Sequence, residues 1–125
     1  MTQILVVEDD PNVRVLLQSL LTAEGYDVVT ASDGMAGLGR LADQTPALIL
    51  LDLMMPDLGG DRVLEQLGQD PASAAVPVVV LTGQLDAVLQ LRNALGEDNV
   101  ITKPFGVNDL LTRVAQITGG PKEST

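Results

Sequence analysis

Residues 4–25 read ILVVEDDPNVRVLLQSLLTAEG, and the character of the chain changes once along them. Ile4, Leu5, Val6 and Val7 form an apolar run too short for a helix, and without polar alternation it reads as a strand covered on both faces. Three acids, Glu8, Asp9 and Asp10, follow at once. Beyond them Val13, Leu16, Leu17, Leu20 and Leu21 take the i, i+3, i+4, i+7, i+8 spacing of one helix face. The punctuation agrees: Asp10 suits the N-cap, Pro11 the first helical turn, and Gly25 the left-handed position that ends a helix.

Outward from this unit the pattern repeats. Short apolar runs at 4–7, 28–31, 47–51, 76–81 and 100–102 predict five strands, with helical stretches after the first at 33–43, 60–69, 85–95 and 107–118. The first, third and fourth runs are nearly unbroken Val, Ile and Leu, as in the central strands of a parallel sheet. Right-handed crossovers then make the chain a doubly wound α/β domain. One domain is expected over 1–118, followed at 119–125 by Gly-Gly-Pro-Lys-Glu-Ser-Thr, a flexible tail or the start of a linker.

Composition narrows the chemistry. The 125 residues include neither Cys nor His, which excludes zinc, iron–sulfur, thiol and Ser-His-Asp chemistry and leaves oxygen as the ligand atom for any metal. Seventeen acids against seven bases give a net charge of −10, and the aromatics are Tyr26 and Phe105 alone. Direct nucleic-acid binding is therefore not expected, since phosphate neutralisation and base stacking both lack their residues. No apolar run approaches ~18 residues and no basic segment opens the chain, so neither a membrane span nor a signal peptide is expected and the location is taken as cytoplasmic.

In sheets of this kind ligands bind outside the carboxyl ends of the strands. Here those ends carry Glu8 and Asp9, Asp52, Thr82 and Gly83, and Lys103 and Pro104. Asp10 is explained by capping, but Glu8 and Asp9 precede the cap, and Asp52 stands between 47–51 and Leu53, Met54 and Met55. A carboxylate among apolar residues needs compensation. Bringing Glu8, Asp9 and Asp52 together demands a cation, and oxygen ligands select Mg²⁺ or a similar hard ion. Lys103 is one of two lysines, the other lying in the tail. Such a set suits phosphoryl transfer: a carboxylate as nucleophile, a divalent ion and an ammonium to neutralise the moving oxygens, and the Thr82 hydroxyl and Gly83 amide as donors.

With these residues in hand, ILVVEDDP at 4–11, LLDLMMP at 50–56, Gly60, VLTG at 80–83 and TKPF at 102–105 resemble the receiver domain of two-component response regulators over about residues 3–118. The resemblance implies a flavodoxin-like, CheY-like sheet of strand order 2-1-3-4-5. It also implies that Asp52 is the phosphoacceptor, that Glu8, Asp9, Asp52 and the Met54 carbonyl hold Mg²⁺, that Thr82 is the switch hydroxyl and that Lys103 binds the phosphoryl group. The implied donor is a sensor histidine kinase or histidine phosphotransfer protein, and the implied output a downstream protein target. Oligomeric state stays open. Met54 and Gln84 are expected to flank the path of attacking water, and the peptide between Lys103 and Pro104 is expected to be cis.

The chain departs from the family pattern at two places. Val100 stands where many receivers have an aromatic residue that swings inward with the threonine, and Leu58 and Gly59 replace the usual small acidic loop. The signal is therefore expected to travel through the loop after Thr82 to a partner face built from Arg92, Asp109 and Arg113. Three other readings compete. Residues 37–42, GLGRLA, fit a dinucleotide-binding fingerprint but fall within the second predicted helix instead of opening the first. A receiver-like interaction module independent of phosphorylation would not need Asp52 and Lys103, which are both present. A phosphohydrolase would need an acid two residues after Asp52, where Met54 stands.

Overall fold

The computed structural model describes residues 2–32, 36–37, 39–40, 45–52, 76–82, 100–102 and 105–120, with Asp52, Thr82 and Thr102 described by their backbone alone. Five parallel strands, β1 (Gln3–Val7), β2 (Asp27–Ala31), β3 (Leu48–Asp52), β4 (Val78–Thr82) and β5 (Val100–Thr102), form one sheet in the order β2-β1-β3-β4-β5. The doubly wound order expected from the resemblance is the order observed. The uninterrupted apolar runs are the three inner strands, and β2, with one fully buried position, is an edge.

Both faces of the sheet are covered, and alternation along the strands sorts their side chains. Ile4, Val6, Leu48, Leu50, Val79 and Leu81 pack with Leu17 and Leu21 of α1 (Pro11–Ala23) and with Leu110 and Val114 of the C-terminal helix (Val107–Thr118). Leu5, Val7, Ile49 and Leu51 point to the other face, where Ala31 and Val76 join them. Burying each such aliphatic side chain contributes about 1.5–3 kcal/mol.

Helix α1 begins and ends as its residues dictate. The Asp10 carboxylate accepts the Asn12 N–H at 2.9 Å, Pro11 is the first helical residue, and Gly25 takes φ 104° beyond the last turn. The expected helix face is narrower than its spacing suggested: Leu17 and Leu21 are buried, whereas Leu16 is 47% exposed. Leu16 lies at the margin of the stripe, where the sheet no longer covers it. The C-terminal helix spans the expected 107–118 and stops at Gly119, whose φ of 82° is left-handed.

Strand boundaries move by one or two residues. β4 starts at Val78 because Pro77 has no N–H to give the ladder, although its carbonyl accepts the Ile49 N–H at 3.0 Å. β3 and β4 run one residue further than expected, so Asp52 and Thr82 are the last residues of their strands and not the first of their loops. Of the second predicted helix, residues 36–37 and 39–40 are helical; the helices expected at 60–69 and 85–95, and the tail at 121–125, lie outside the described residues.

Candidate functional site at the carboxyl edge of the sheet

Register assembles the site. Val7 stands level with Leu51, Leu51 with Val80, and Val80 with Val100. The next row therefore crosses the sheet as Glu8, Asp52, Leu81 and Ile101, with Asp52 paired to Leu81. One step beyond, Thr82 is level with Thr102, and Asp9 follows Glu8. Glu8, Asp9, Asp52 and Thr82 thus share one edge, at the centre of which β1 and β3 are neighbours. Met54, Gly83, Gln84, Arg92, Lys103 and Pro104, including the expected cis peptide, lie outside the described residues.

Glu8 is the most constrained of the acids. It is 1% exposed, a burial that a carboxylate sustains only with partners. One of them is the Asp10 N–H, which donates to Glu8 Oε1 at 3.3 Å. Its own N–H donates to the Ala31 carbonyl at 3.1 Å, prolonging the β1–β2 ladder by one bond. Asp9 is half-buried and Asp10, the cap, is exposed, which is the division of labour that the sequence predicts for the acidic triplet.

A hard divalent cation fits the donors gathered here. Two consecutive acids, one of them fully buried, follow β1 at the same edge where the backbone of a third ends the neighbouring strand, and carboxylate oxygens are ligands that Mg²⁺ takes. Among the described residues no group of three acidic side chains forms a metal site, the side chain of Asp52 being outside that set.

Three contacts bear on the site without a clear signal in the sequence. The Arg14 guanidinium donates through Nη1 to the Glu8 carbonyl at 3.0 Å. An arginine in the first helical turn, where a cation is disfavoured, was the available clue. Gly37 lies against Val7, the residue before Glu8: a Cβ at 37 would stand 2.9 Å from Val7 Cγ2. That packing accounts for a glycine that otherwise only completes the dinucleotide-like pattern. Finally, Arg113 is half-buried, and its Nη1 donates to the Val100 carbonyl at 3.2 Å, so it braces β5 as well as contributing to the helix surface. Asp109 is exposed.

Known proteins resemble the chain along most of its length. The family described as Response regulator receiver domain matches residues 4–115. The alkaline phosphatase synthesis transcriptional regulatory protein PhoP of Bacillus subtilis is 42% identical over 118 residues, covering 92% of this chain and 48% of that protein. The DNA-binding dual master transcriptional regulator RpaA of Synechocystis sp. is 40% identical over 116 residues, covering 91% and 48%. The chain spans about half the length of these curated relatives. The signal receiver domain of a signal transduction histidine kinase from Syntrophus aciditrophicus superposes with a TM-score of 0.85 at 29% identity, over 100% of this chain and 96% of that one.

Proposed function

The chain belongs to the response regulator receiver domain family, and from that membership we propose that it is a phosphoacceptor switch whose acceptor is Asp52. Receiver domains of two-component systems are signalling switches; the proposal assigns the chemistry to this chain's residues. The observation that carries it is the register: Asp52 ends β3 level with Glu8, beside buried and half-buried acids, and one step from Thr82.

An Asp52 carboxylate oxygen attacks the phosphorus of a phosphohistidine on a sensor histidine kinase or phosphotransfer protein. The new O–P bond forms as the P–N bond breaks, and the imidazole leaves with the electron pair and takes a proton from solvent. The Thr82 hydroxyl donates a hydrogen bond to a phosphoryl oxygen, and the Lys103 ammonium balances the charge of the product. Glu8, Asp9, Asp52 and the Met54 carbonyl would hold Mg²⁺, and the chemistry the ion would supply is positive charge beside the phosphoryl oxygens. Glu8 keeps its carboxylate in place through the Asp10 N–H. The readout is a downstream protein that recognises the altered surface, in the cytoplasm; with a net charge of −10, DNA binding of the kind named for RpaA is not a property proposed for this chain.

Incubation with acetyl phosphate tests the assignment. Intact-mass measurement will find one added phosphoryl group in the presence of Mg²⁺, none with chelator, and none in Asp52→Asn. Modification that persists in Asp52→Asn overturns it.

A further inference from the structure

Arg14 occupies a position that helix electrostatics disfavour. Its N–H donates to the Asp10 carbonyl at 2.9 Å and closes the first turn of α1, where the macrodipole is positive. No acidic side chain in that turn offsets the cation. The guanidinium instead turns back along the chain and meets the Glu8 carbonyl at 3.0 Å.

That carbonyl belongs to the peptide joining Glu8 to Asp9, the two acids read above as cation ligands, and the inference rests on that reading. Glu8 is held on its N–H side by the Ala31 carbonyl of β2 and on its C=O side by Arg14. The two peptides that flank the Glu8 Cα are thus each tied at one point, which fixes the direction in which the Glu8 side chain departs, and the second of these peptides also carries the Asp9 nitrogen. We propose that Arg14 is a positioning residue for the cation site: by pinning the Glu8–Asp9 peptide it aligns both carboxylates before the ion arrives. Two effects of the guanidinium oppose each other. As a charge it competes with a divalent ion, so losing it would tighten binding; as a pin it preorganises the ligands, so losing it weakens binding. Arg14 is half-buried and its charge is partly screened by solvent, whereas the hydrogen bond acts directly on the ligand backbone, so the pin dominates.

The test uses the ¹⁵N-labelled chain of residues 1–125, Arg14→Met and Arg14→Lys. Titration with MgCl₂, followed by the amide shifts of residues 8–10, gives the affinity, and hydrogen exchange of the Glu8 amide in the metal-free protein reports the pin without any ion. Arg14→Met will bind Mg²⁺ more weakly, on the order of tenfold, as is usual when a partner that orients a ligand is lost. Its Glu8 amide will exchange faster, and Arg14→Lys, which keeps a cationic donor without the planar fork, will recover part of both. Mg²⁺ binding in Arg14→Met as tight as in the parent, or tighter, overturns the proposal. If Arg14→Met does not fold, Arg14→Lys decides: weaker binding than the parent supports the pin, and equal binding overturns it. A parent chain whose shifts ignore MgCl₂ overturns the cation reading itself. The exchange of the Glu8 amide then still decides whether Arg14 orders that peptide, faster exchange in the variants supporting the role and unchanged exchange refuting it.

Discussion

Two glycines two positions apart show how one contact reverses the effect of the same substitution. Gly37 and Gly39 both lie in helical backbone, where exchanging glycine for alanine is worth up to about 1 kcal/mol of stability. At Gly39 nothing stands within 4 Å of the added methyl, and Gly39→Ala is expected to gain roughly 0.4–1 kcal/mol. At Gly37 the methyl meets Val7 Cγ2 at 2.9 Å, and valine is stiff at χ1 and fixed in the sheet. Overpacking of this kind costs about 1–3 kcal/mol, more than the helix propensity returns, so Gly37→Ala is expected to destabilise. Urea denaturation of the two variants checks the opposite signs, and a stabilised Gly37→Ala would show that α-helical backbone around 37 yields easily to Val7.

At the scale of elements, the joint between β5 and the C-terminal helix bears on the proposed switch. Val100 is 1% exposed and β-branched, with neither the area nor the rotamer freedom of a swinging aromatic ring. Its link to the helix runs through its main chain, the Arg113 Nη1 donating to the Val100 carbonyl. Trimming the side chain leaves that link in place. Val100→Ala is therefore expected to lose roughly 0.5–3 kcal/mol of stability; if Asp52 is phosphorylated as proposed, any amide shift changes in Val107–Thr118 are expected to survive Val100→Ala and to shrink in Thr82→Ala. Phosphorylation shifts the two states only by its differential affinity for them, so a Val100→Ala chain that no longer responds would assign the switch to valine.

Over the whole molecule, the fold concentrates acids at one edge of the sheet and ties the chain together at the other. Thr2 donates its hydroxyl to the Gly120 carbonyl at 3.2 Å, while the Gly120 N–H donates to Thr118 Oγ1 at 3.2 Å, so the stretch before β1 and the end of the last helix close on each other. The opposite edge carries Glu8, Asp9 and Asp52 with a net charge of −10 behind them, and a divalent cation held there, as proposed, would relieve their repulsion in the folded state alone. Mg²⁺ at about one hundred times its Kd is expected to add ~2.7 kcal/mol to the unfolding free energy, and less in Asp52→Asn. A denaturation midpoint indifferent to Mg²⁺ would count against the ligand set.

Much of this architecture was legible along the chain because its causes are local or periodic. Asp10, Pro11 and Gly25 delimit α1 through backbone chemistry that neighbouring residues cannot alter, and the unbroken runs at 4–7, 47–51 and 76–81 mark the inner strands because burial on both faces leaves no place for polar alternation. The acids at the strand ends were visible for the same reason, each being an abrupt break in an apolar run. What spacing does not encode is which side of an element meets another. Leu16 shares the helical period of Leu17 and is half exposed, since the width of the buried stripe is set by the sheet beneath it. The pairing of Val7 with Leu51, which puts Glu8 level with Asp52, joins residues more than forty positions apart. The contacts of Arg14 with the Glu8 carbonyl, Gly37 with Val7 and Arg113 with the Val100 carbonyl likewise depend on how helices lie on the sheet. Local chemistry chose the elements and their ends; packing in three dimensions chose the neighbours.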